Sequence, residues 1–150
     1  MNTDKILVRT LLYLQHQLER ASRKEDMSIS QYRMLYFLMR GPRRAAELAV
    51  ESSIRKPSIT SLVGTLESRG WITRTEDPDD RRALCIEITP VGLEAFNRFE
   101  ASMHESMQRF LGEEGVAEAE AALIPLYQLW TRKRDARYED WVRKTESGKG

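Results

Sequence analysis

Residues 57–69 read PSITSLVGTLESR, and their apolar side chains recur with the spacing of one helix face. Four of them fall at i, i+3, i+4 and i+7, namely Ile59, Leu62, Val63 and Leu66. The opposite face carries small residues: Pro57, Ser61, Gly64 and Ser68, with Thr60 and Thr65 at its edges. Surface helices usually expose Lys, Glu and Arg. A face with only small side chains lets the helix backbone approach another surface closely. A DNA major groove and a tight helix–helix contact within the protein both fit it.

The residues before this helix predict a helix-turn-helix. Residues 45–52 predict a short helix anchored by Leu48 and Ala49, and residues 53–56 form a tight turn. We place Pro57 at the first helical position, where its missing N–H breaks no hydrogen bond. Two helices joined by a turn of this length are typical of DNA-binding helix-turn-helix units.

The residues after it predict a β-hairpin. Gly70 predicts the C-terminal cap of the helix, and residues 71–74 and 84–88 predict two strands. The second strand has three apolar residues on one face: Leu84, Ile86 and Ile88. Residues 76–82 between the strands are wholly polar and rich in turn formers. The fold is therefore predicted to be mainly α-helical with a small β-hairpin wing, which is a winged helix-turn-helix.

In this order and without a gap, these segments resemble the MarR family of bacterial transcription regulators. The resemblance rests on Leu48-Ala49, the 59–66 stripe, ESRGWI at 67–72, DPDDRR at 77–82 and ITPVG at 88–92. It implies that the first and last helices form a homodimer. It also implies that Arg82 at the wing tip enters the DNA minor groove, and that Asp80 orients Arg82 through a salt bridge.

The chain departs from the family pattern at Arg43 and Arg44. The family more often has Ser or Thr there as the cap of the next helix. We therefore expect a weaker cap, and our hypothesis is that these arginines contact the DNA backbone instead.

The residues before the helix-turn-helix predict two helices. Residues 4–24 form the first, whose buried face is expected to carry Leu7, Leu11, Leu14 and Leu18. Ser28 and Gln31 form a capping box at the start of the second. That helix is expected to end at Gly41-Pro42 and to bury Tyr32, Leu35, Tyr36 and Met39.

The residues after the wing predict two further helices. Thr89-Pro90 predicts the start of one and Gly112 its end. A final helix is predicted from near Val116, with Pro125 expected to kink or divide it, and residues 145–150 are expected to be disordered. We expect one domain over residues 1–150, with the winged helix-turn-helix at about 28–89 and dimerisation helices at about 4–24 and 90–145.

Composition argues against several other classes of protein. The formal net charge of +1 gives no global basic signature, so DNA binding must depend on where the cations lie. The single cysteine, Cys85, excludes an intrachain disulfide framework, and on a wing strand without a resolving partner we interpret it as inert. No apolar run reaches membrane-spanning length and no secretory signal is recognised, so we expect a cytoplasmic protein without a membrane partner. No metal site or cofactor is predicted, and the distant pair His16 and His104 suggests no enzyme.

The candidate DNA contacts lie on the 57–69 helix and on the wing. Arg55 and Lys56 lie at the N-terminal end of the helix, in position to contact phosphates or base edges. The candidate groove readers are Pro57, Ser58, Thr60 and Ser61. Arg82 suits a narrow minor groove, which concentrates negative potential, and Arg81 is expected to meet phosphate. The alternative for this tip is a solvated charged turn.

A second candidate site is a polar stripe on the first helix, formed by Arg9, Tyr13, His16 and Arg20. The resemblance implies that small aromatic or anionic effectors bind between the DNA-binding lobe and the dimerisation helices. The stripe would suit an aromatic carboxylate, and Arg33 and Tyr36 of the second helix are expected to complete the wall. The alternative is a solvated helix face.

The predicted function is sequence-specific, DNA-binding transcription regulation by a homodimeric repressor. Its partners would be a palindromic operator in double-stranded DNA and a small aromatic acid that releases it. The alternative is a winged-helix protein-interaction module without ligand control, because a fold does not fix a function. The wing discriminates between the two, since an interaction module has no need of Asp80, Arg81 and Arg82.

Overall fold

The computed structural model describes residues 5–148, apart from the side chains of Lys56 and Pro57. In chain order the elements are α1 (Ile6–Glu25), α2 (Ile29–Leu38), β1 (Arg43–Arg44), α3 (Ala45–Ser52), α4 (Lys56–Ser68), β2 (Ile72–Glu76), β3 (Leu84–Ile88) and α5 (Pro90–Ser147). The fold is mainly α-helical with a three-stranded antiparallel sheet in the order β1-β3-β2. The predicted fold class is confirmed. Strand β1 has two residues, too few to leave an alternating pattern in the sequence.

The stripe of α4 is buried in the core between α2 and α3. Ile59 and Leu66 are completely buried, Val63 nearly so, and Leu62 is packed against them half-exposed. Leu48 of α3 is also completely buried. Burying one such side chain is worth about 1.5–3 kcal/mol, so this stripe fixes which face of α4 turns outward.

Helix α2 begins with the predicted capping box but buries a different set of residues. The Ser28 hydroxyl accepts from the Gln31 backbone N–H at 3.1 Å, and Gln31 Oε1 accepts from the Ser28 N–H at 2.8 Å. Leu35 is completely buried, and Tyr32 and Tyr36 are half-buried against the core, but Met39 is 43% exposed, so the predicted stripe is wrong at Met39. Because α2 packs on several sides, it also buries Met34, Phe37 and Leu38.

The hairpin begins at the predicted glycine. Gly70 has φ 71°, a left-handed conformation that glycine adopts without steric cost. Ile86 is buried and Ile88 half-buried, as predicted, but Leu84 is 52% exposed because it lies at the tip end of β3. The arrangement leaves the far end of the hairpin polar.

Helix α5 is divided at Gly112, where φ is 73° and ψ is 170°. Pro125 does not divide the last helix, because within the described residues the non-helical break of α5 lies at Gly112. Pro125 is exposed and its missing N–H costs one hydrogen bond in a long helix. The predicted disorder from residue 145 is wrong up to Ser147, because the backbone continues in helical geometry; residues 149–150 lie outside the described part.

Helix α1 packs on α5, and its buried residues are Gln17 and Ala21. Ser106 donates to Gln17 Oε1 at 2.6 Å. Of the predicted leucines, Leu14 and Leu18 are half-buried, and Leu18 packs against the core. Leu7 is 57% and Leu11 48% exposed, so the predicted burial is not seen for these two in a single copy of the chain.

Two glycines in helices allow a matched test of the fold. A Cβ on Gly92 would lie 2.0 Å from the Trp71 carbonyl oxygen, whereas a Cβ on Gly64 would meet nothing within 4 Å. Gly92→Ala should therefore lower the free energy of unfolding by about 1–3 kcal/mol or more, because the Trp71 backbone must move. Gly64→Ala should raise it by about 0.5–1 kcal/mol, because alanine is the better helix former. Urea unfolding followed by circular dichroism measures both, and equal midpoints for the two variants would contradict this packing.

Candidate nucleic-acid interface

The outer face of α4 is exposed, and apart from Glu67, which pairs with Arg74 of the wing, its described side chains are small. These small exposed residues are Ser58, Thr60, Ser61, Gly64, Thr65 and Ser68. Thr65 already donates to the Ser61 carbonyl at 3.1 Å and Ser68 to the Thr65 carbonyl at 2.8 Å. Among the described residues of this face, the hydroxyls of Ser58, Thr60 and Ser61, near the N-terminus, therefore donate the fewest hydrogen bonds within the protein.

The N-terminus of α4 lies one residue earlier than predicted. Arg55 is the N-cap, with extended backbone, and Pro57 takes the second helical position rather than the first. Arg55 is exposed. The predicted contacts of the Lys56 and Pro57 side chains lie outside the described residues.

The wing tip, residues 77–83, is a closed turn with two exposed arginines. The Asp77 N–H donates to the Ala83 carbonyl at 3.1 Å, and the Ala83 N–H donates to the Asp80 carbonyl at 2.9 Å. Arg81 and Arg82 both point away from the core. Asp80 Oδ1 accepts from the Arg82 backbone N–H at 3.0 Å. Among the ion pairs of the described residues there is none between these two side chains, so Asp80 shapes the turn instead of holding the guanidinium.

Two ion pairs hold the wing against the helix-turn-helix. Arg74 of β2 pairs with Glu67 of α4 at 3.1 Å, on the surface. Arg44 Nε pairs with Asp77 Oδ2 at 2.5 Å, and Asp77 is only 5% exposed. The hydrogen bond from Arg44 lowers the pKa of Asp77 to about 2, helped by the backbone N–H of Asp79.

The structure places carboxylates of the protein itself against Arg43 and Arg44, which argues against the hypothesis that they contact the DNA backbone. Arg43 Nε binds buried Glu51 at 3.1 Å, and Arg44 binds Asp77. Both guanidinium groups are thus occupied by carboxylates of the protein itself. The cap of α3 is supplied by Glu47, whose carboxylate accepts from the Arg44 backbone N–H at 2.6 Å.

The thiol of Cys85 lies behind the wing. Cys85 is buried, and its Sγ donates to Asp77 Oδ2 at 3.6 Å. Burial, and then the negative charge of Asp77, raise the pKa of this thiol. In residues 5–148 no cluster of His, Cys, Asp or Glu side chains could hold a metal ion, and no described helix could span a membrane.

The predicted effector residues do not form one site. Tyr13 and His16 border a shallow groove beside Phe110, on the far side of α1. Arg33 and Tyr36 line a different cleft, and Arg9 and Arg20 are simply exposed. In a single chain, therefore, the α1 residues and the α2 residues do not share one wall.

The cleft at Tyr36, which we call the Tyr36 cleft, has a volume of about 940 Å³ between α2, the α3–α4 turn and residues 127–137 of α5. Its polar wall includes Arg134, which donates to the Tyr36 hydroxyl at 3.1 Å and lies 5.7 Å from the centroids of Tyr36 and Phe37. Tyr127 faces Tyr36 with their oxygens 3.4 Å apart. The α5 side of this cleft was not predicted, although residues 127–138 are rich in aromatic and basic side chains, which was a usable signal.

The same segment of α5 is tied to the helix-turn-helix. Arg137 donates to the Val50 carbonyl at 3.1 Å, at the end of α3. The Tyr138 hydroxyl donates to Glu47 Oε1 at 2.7 Å, and burial together with this bond raises the pKa of Tyr138 to about 12. The cleft wall and α3 are therefore in direct contact.

Comparison with known proteins agrees with this architecture. The family model described as MarR family matches residues 25–83, which contain α2, α3, α4 and the wing up to Ala83. The segment from α2 to the wing is therefore similar to the MarR family.

Two similar sequences and one similar solved structure illustrate the match. A protein of Thauera aromatica, described as a transcriptional regulatory protein for the hcr operon, is 33% identical over 57% of this chain and 52% of its own length. The chain therefore matches about half the length of that relative. The homoprotocatechuate degradative operon repressor of Escherichia coli is 24% identical over 79% of this chain and 80% of its own. The repressor CouR, solved bound to a 23-mer DNA duplex, superposes with a TM-score of 0.69 at 22% identity, covering 86% of this chain and 92% of CouR.

The buried thiol gives a direct test of the wing geometry. Cys85 should react with iodoacetamide at pH 8 roughly 10-fold or more slowly than free cysteine, because it is buried and its pKa is raised. Urea should abolish the difference, and mass spectrometry follows the alkylated fraction. Alkylation of the folded protein at the rate of the free amino acid would contradict the position of β3 against the core.

Proposed function

We propose that this protein is a homodimeric, sequence-specific DNA-binding repressor of the MarR family that a small aromatic acid releases from DNA. The observation that carries the proposal is the exposed small-residue face of α4 together with a wing tip that exposes Arg81 and Arg82. In this assignment the winged helix-turn-helix spans about residues 28–89. Residues of about 4–24 and 90–145 form the dimerisation helices.

The proposed reading of DNA divides the work between helix and wing. Helix α4 enters the major groove, with Ser58, Thr60 and Ser61 facing the bases, because small side chains allow close approach. Arg55 and Lys56 meet phosphates or base edges at the mouth of the helix, and Pro57 offers an apolar contact. Arg82 enters the minor groove and Arg81 meets phosphate. Asp80 orients Arg82 through its bond to the Arg82 backbone N–H.

Homodimerisation is supported by apolar surface that one chain leaves uncovered. Leu7, Val8, Leu11 and Leu12 are exposed on α1, as are Ile124, Tyr127 and Trp130 on α5. Contiguous exposed apolar surface of this kind usually marks an interface. A two-fold dimer would place two α4 helices about one turn of DNA apart, so the operator should be an imperfect palindrome.

The wing assignment predicts that Arg82→Ala lowers operator affinity by about 1–3 kcal/mol and leaves folding unchanged. The operator is obtained by letting the wild-type protein select duplexes from a random-sequence library. Fluorescence anisotropy at fixed salt then measures affinity for the selected duplex.

The matched control for Arg82→Ala is Arg109→Ala, which also removes one positive charge. Arg109 lies on α5, roughly 30 Å from the N-terminus of that helix. Arg109→Ala should bind the duplex within about 2-fold of wild type. Equal affinities for the two variants would remove Arg82 from the interface. Failure of the wild-type protein to enrich any duplex would favour a protein-interaction module.

The Tyr36 cleft is the best-supported effector site. Four cationic side chains line it, including Arg33 and Arg134 beside the rings of Tyr36 and Trp130. Arginine binds a carboxylate through parallel hydrogen bonds, and aromatic walls accommodate a ring. The Escherichia coli relative is named for an operon that degrades homoprotocatechuate, itself an aromatic acid.

An occupant of this cleft could alter DNA binding only by preferring one arrangement of the helix-turn-helix over another. The cleft includes Ser52 and Ser53 at the α3–α4 turn, and Arg137 binds the end of α3. A ligand that shifts α5 against α3 would therefore change the spacing of the two α4 helices. Coupling of about 1–3 kcal/mol is typical and corresponds to roughly 5- to 150-fold in affinity.

Effector binding is tested with salicylate, benzoate and cinnamate by calorimetry. An acid that binds should weaken operator affinity, and the operator should weaken that acid by the same factor. Arg134→Ala should lower acid affinity roughly 10- to 100-fold, because a charged hydrogen bond is lost. Operator affinity without acid should stay within about 2-fold of wild type, since the Arg134 side chain bonds to Tyr36 and Asp135 and to none of the proposed DNA contacts.

The control for Arg134→Ala is Arg132→Ala, an exposed arginine on the same helix. It should leave acid affinity unchanged. If no acid binds, or if Arg132→Ala and Arg134→Ala weaken binding equally, the Tyr36 cleft is not the effector site.

A further inference from the structure

Asp77 is unusual because it is a buried carboxylate within an otherwise exposed polar turn. It follows β2 directly and begins the wing tip. Oδ1 accepts from the Asp79 backbone N–H at 2.8 Å, and Oδ2 accepts from Arg44 Nε at 2.5 Å and from Cys85 Sγ at 3.6 Å. A carboxylate is buried at large cost unless it is paired and hydrogen-bonded, so these contacts must form together.

Arg44 connects this carboxylate to the helix-turn-helix. It is the N-cap of α3, and its strand β1 pairs with β3, where Arg44 faces Cys85. The ion pair therefore joins the start of α3 to the end of β2, where the wing tip begins. A two-stranded hairpin is marginally stable without such support, so the direction of its tip depends on the contacts that anchor it.

A continuous series of hydrogen bonds leads from Asp77 to Arg82. The Asp77 carboxylate holds the Asp79 N–H, and the Asp77 carbonyl accepts from the Asp80 N–H at 3.3 Å. Asp80 in turn accepts from the Arg82 N–H. A change at Asp77 would thus reach Arg82 through the backbone of the turn.

We propose that Asp77 and Arg44 are positioning residues that set the direction of the wing tip, and so determine whether Arg82 reaches the DNA minor groove. The inference rests on the proposed DNA-binding function. Neither residue touches DNA: Asp77 acts from behind the tip, and Arg44 is bound to Asp77.

The test compares Asp77→Asn with Asp79→Asn on the duplex that the wild-type protein selects. Both variants remove one negative charge from the wing, which by electrostatics alone favours DNA binding. Exposed Asp79 keeps its backbone bond to Asp77, so Asp79→Asn should bind as tightly as wild type or more tightly. Asp77→Asn should bind about 5-fold or more weakly, against the electrostatic trend.

A double-mutant cycle separates positioning from general loss of stability. In the wild-type and Asp79→Asn backgrounds, Arg82→Ala should weaken binding by roughly 5- to 150-fold. In the Asp77→Asn background the same substitution should weaken binding by about 2-fold or less, because Arg82 has already lost its position. A purely structural role would lower affinity without changing the effect of Arg82→Ala.

Arg44→Met provides the second arm. It should reproduce the loss seen for Asp77→Asn, and the double variant should lose no more than the weaker-binding single variant, because the two side chains act as one pair. If circular dichroism shows that Asp77→Asn does not fold, the double-mutant cycle is measured with Arg44→Met and Arg82→Ala instead.

The inference is overturned if Asp77→Asn binds like Asp79→Asn, or if Arg82→Ala keeps its full effect in the Asp77→Asn and Arg44→Met backgrounds. Those results require a wild-type protein that binds its selected duplex. Absence of any selected duplex would instead overturn the proposed function on which the inference rests.

Discussion

Burial of one face of α4 is the constraint on which the rest of the structure depends. Ile59, Val63 and Leu66 are held in the core by α2 and α3. Helix α4 therefore cannot rotate about its axis without exposing them. The small-residue face is therefore presented outward by packing, without any polar contact needed to orient it. This leaves Ser58 and Thr60 available for another molecule.

The wing depends on a different kind of interaction. Its core contribution is small, with Ile72 and Ile86 buried at the root while the tip is polar. The direction of the wing must come from polar contacts, chiefly between Arg44 and Asp77 at the start of the tip, and from the surface pair Arg74 and Glu67. Helix and wing thus present two exposed surfaces, one fixed by apolar burial and the other by charge.

Local features were predictable from the sequence, whereas contacts between distant segments were not. The α4 stripe, the capping box at Ser28 and the turn at Gly70 depend on residues within one or two turns, and the structure has all three. The pairing of Arg44 with Asp77 spans 33 residues and left no periodic signal. Amphipathic patterning identified apolar α1 residues but could not say what covers them, and Leu7 and Leu11 are exposed in the single chain. The effector prediction combined residues of α1 and α2, which line different clefts in the single chain.

The central claim is that two copies of this chain present paired α4 helices and wings to one stretch of DNA. Hydroxyl-radical footprinting of the protein on its selected duplex tests that claim most directly. The account predicts a two-fold symmetric footprint, with half-sites about 10 bp apart from centre to centre and minor-groove protection beside each half-site. A single footprint without symmetry, from a complex containing one chain per duplex, would contradict it.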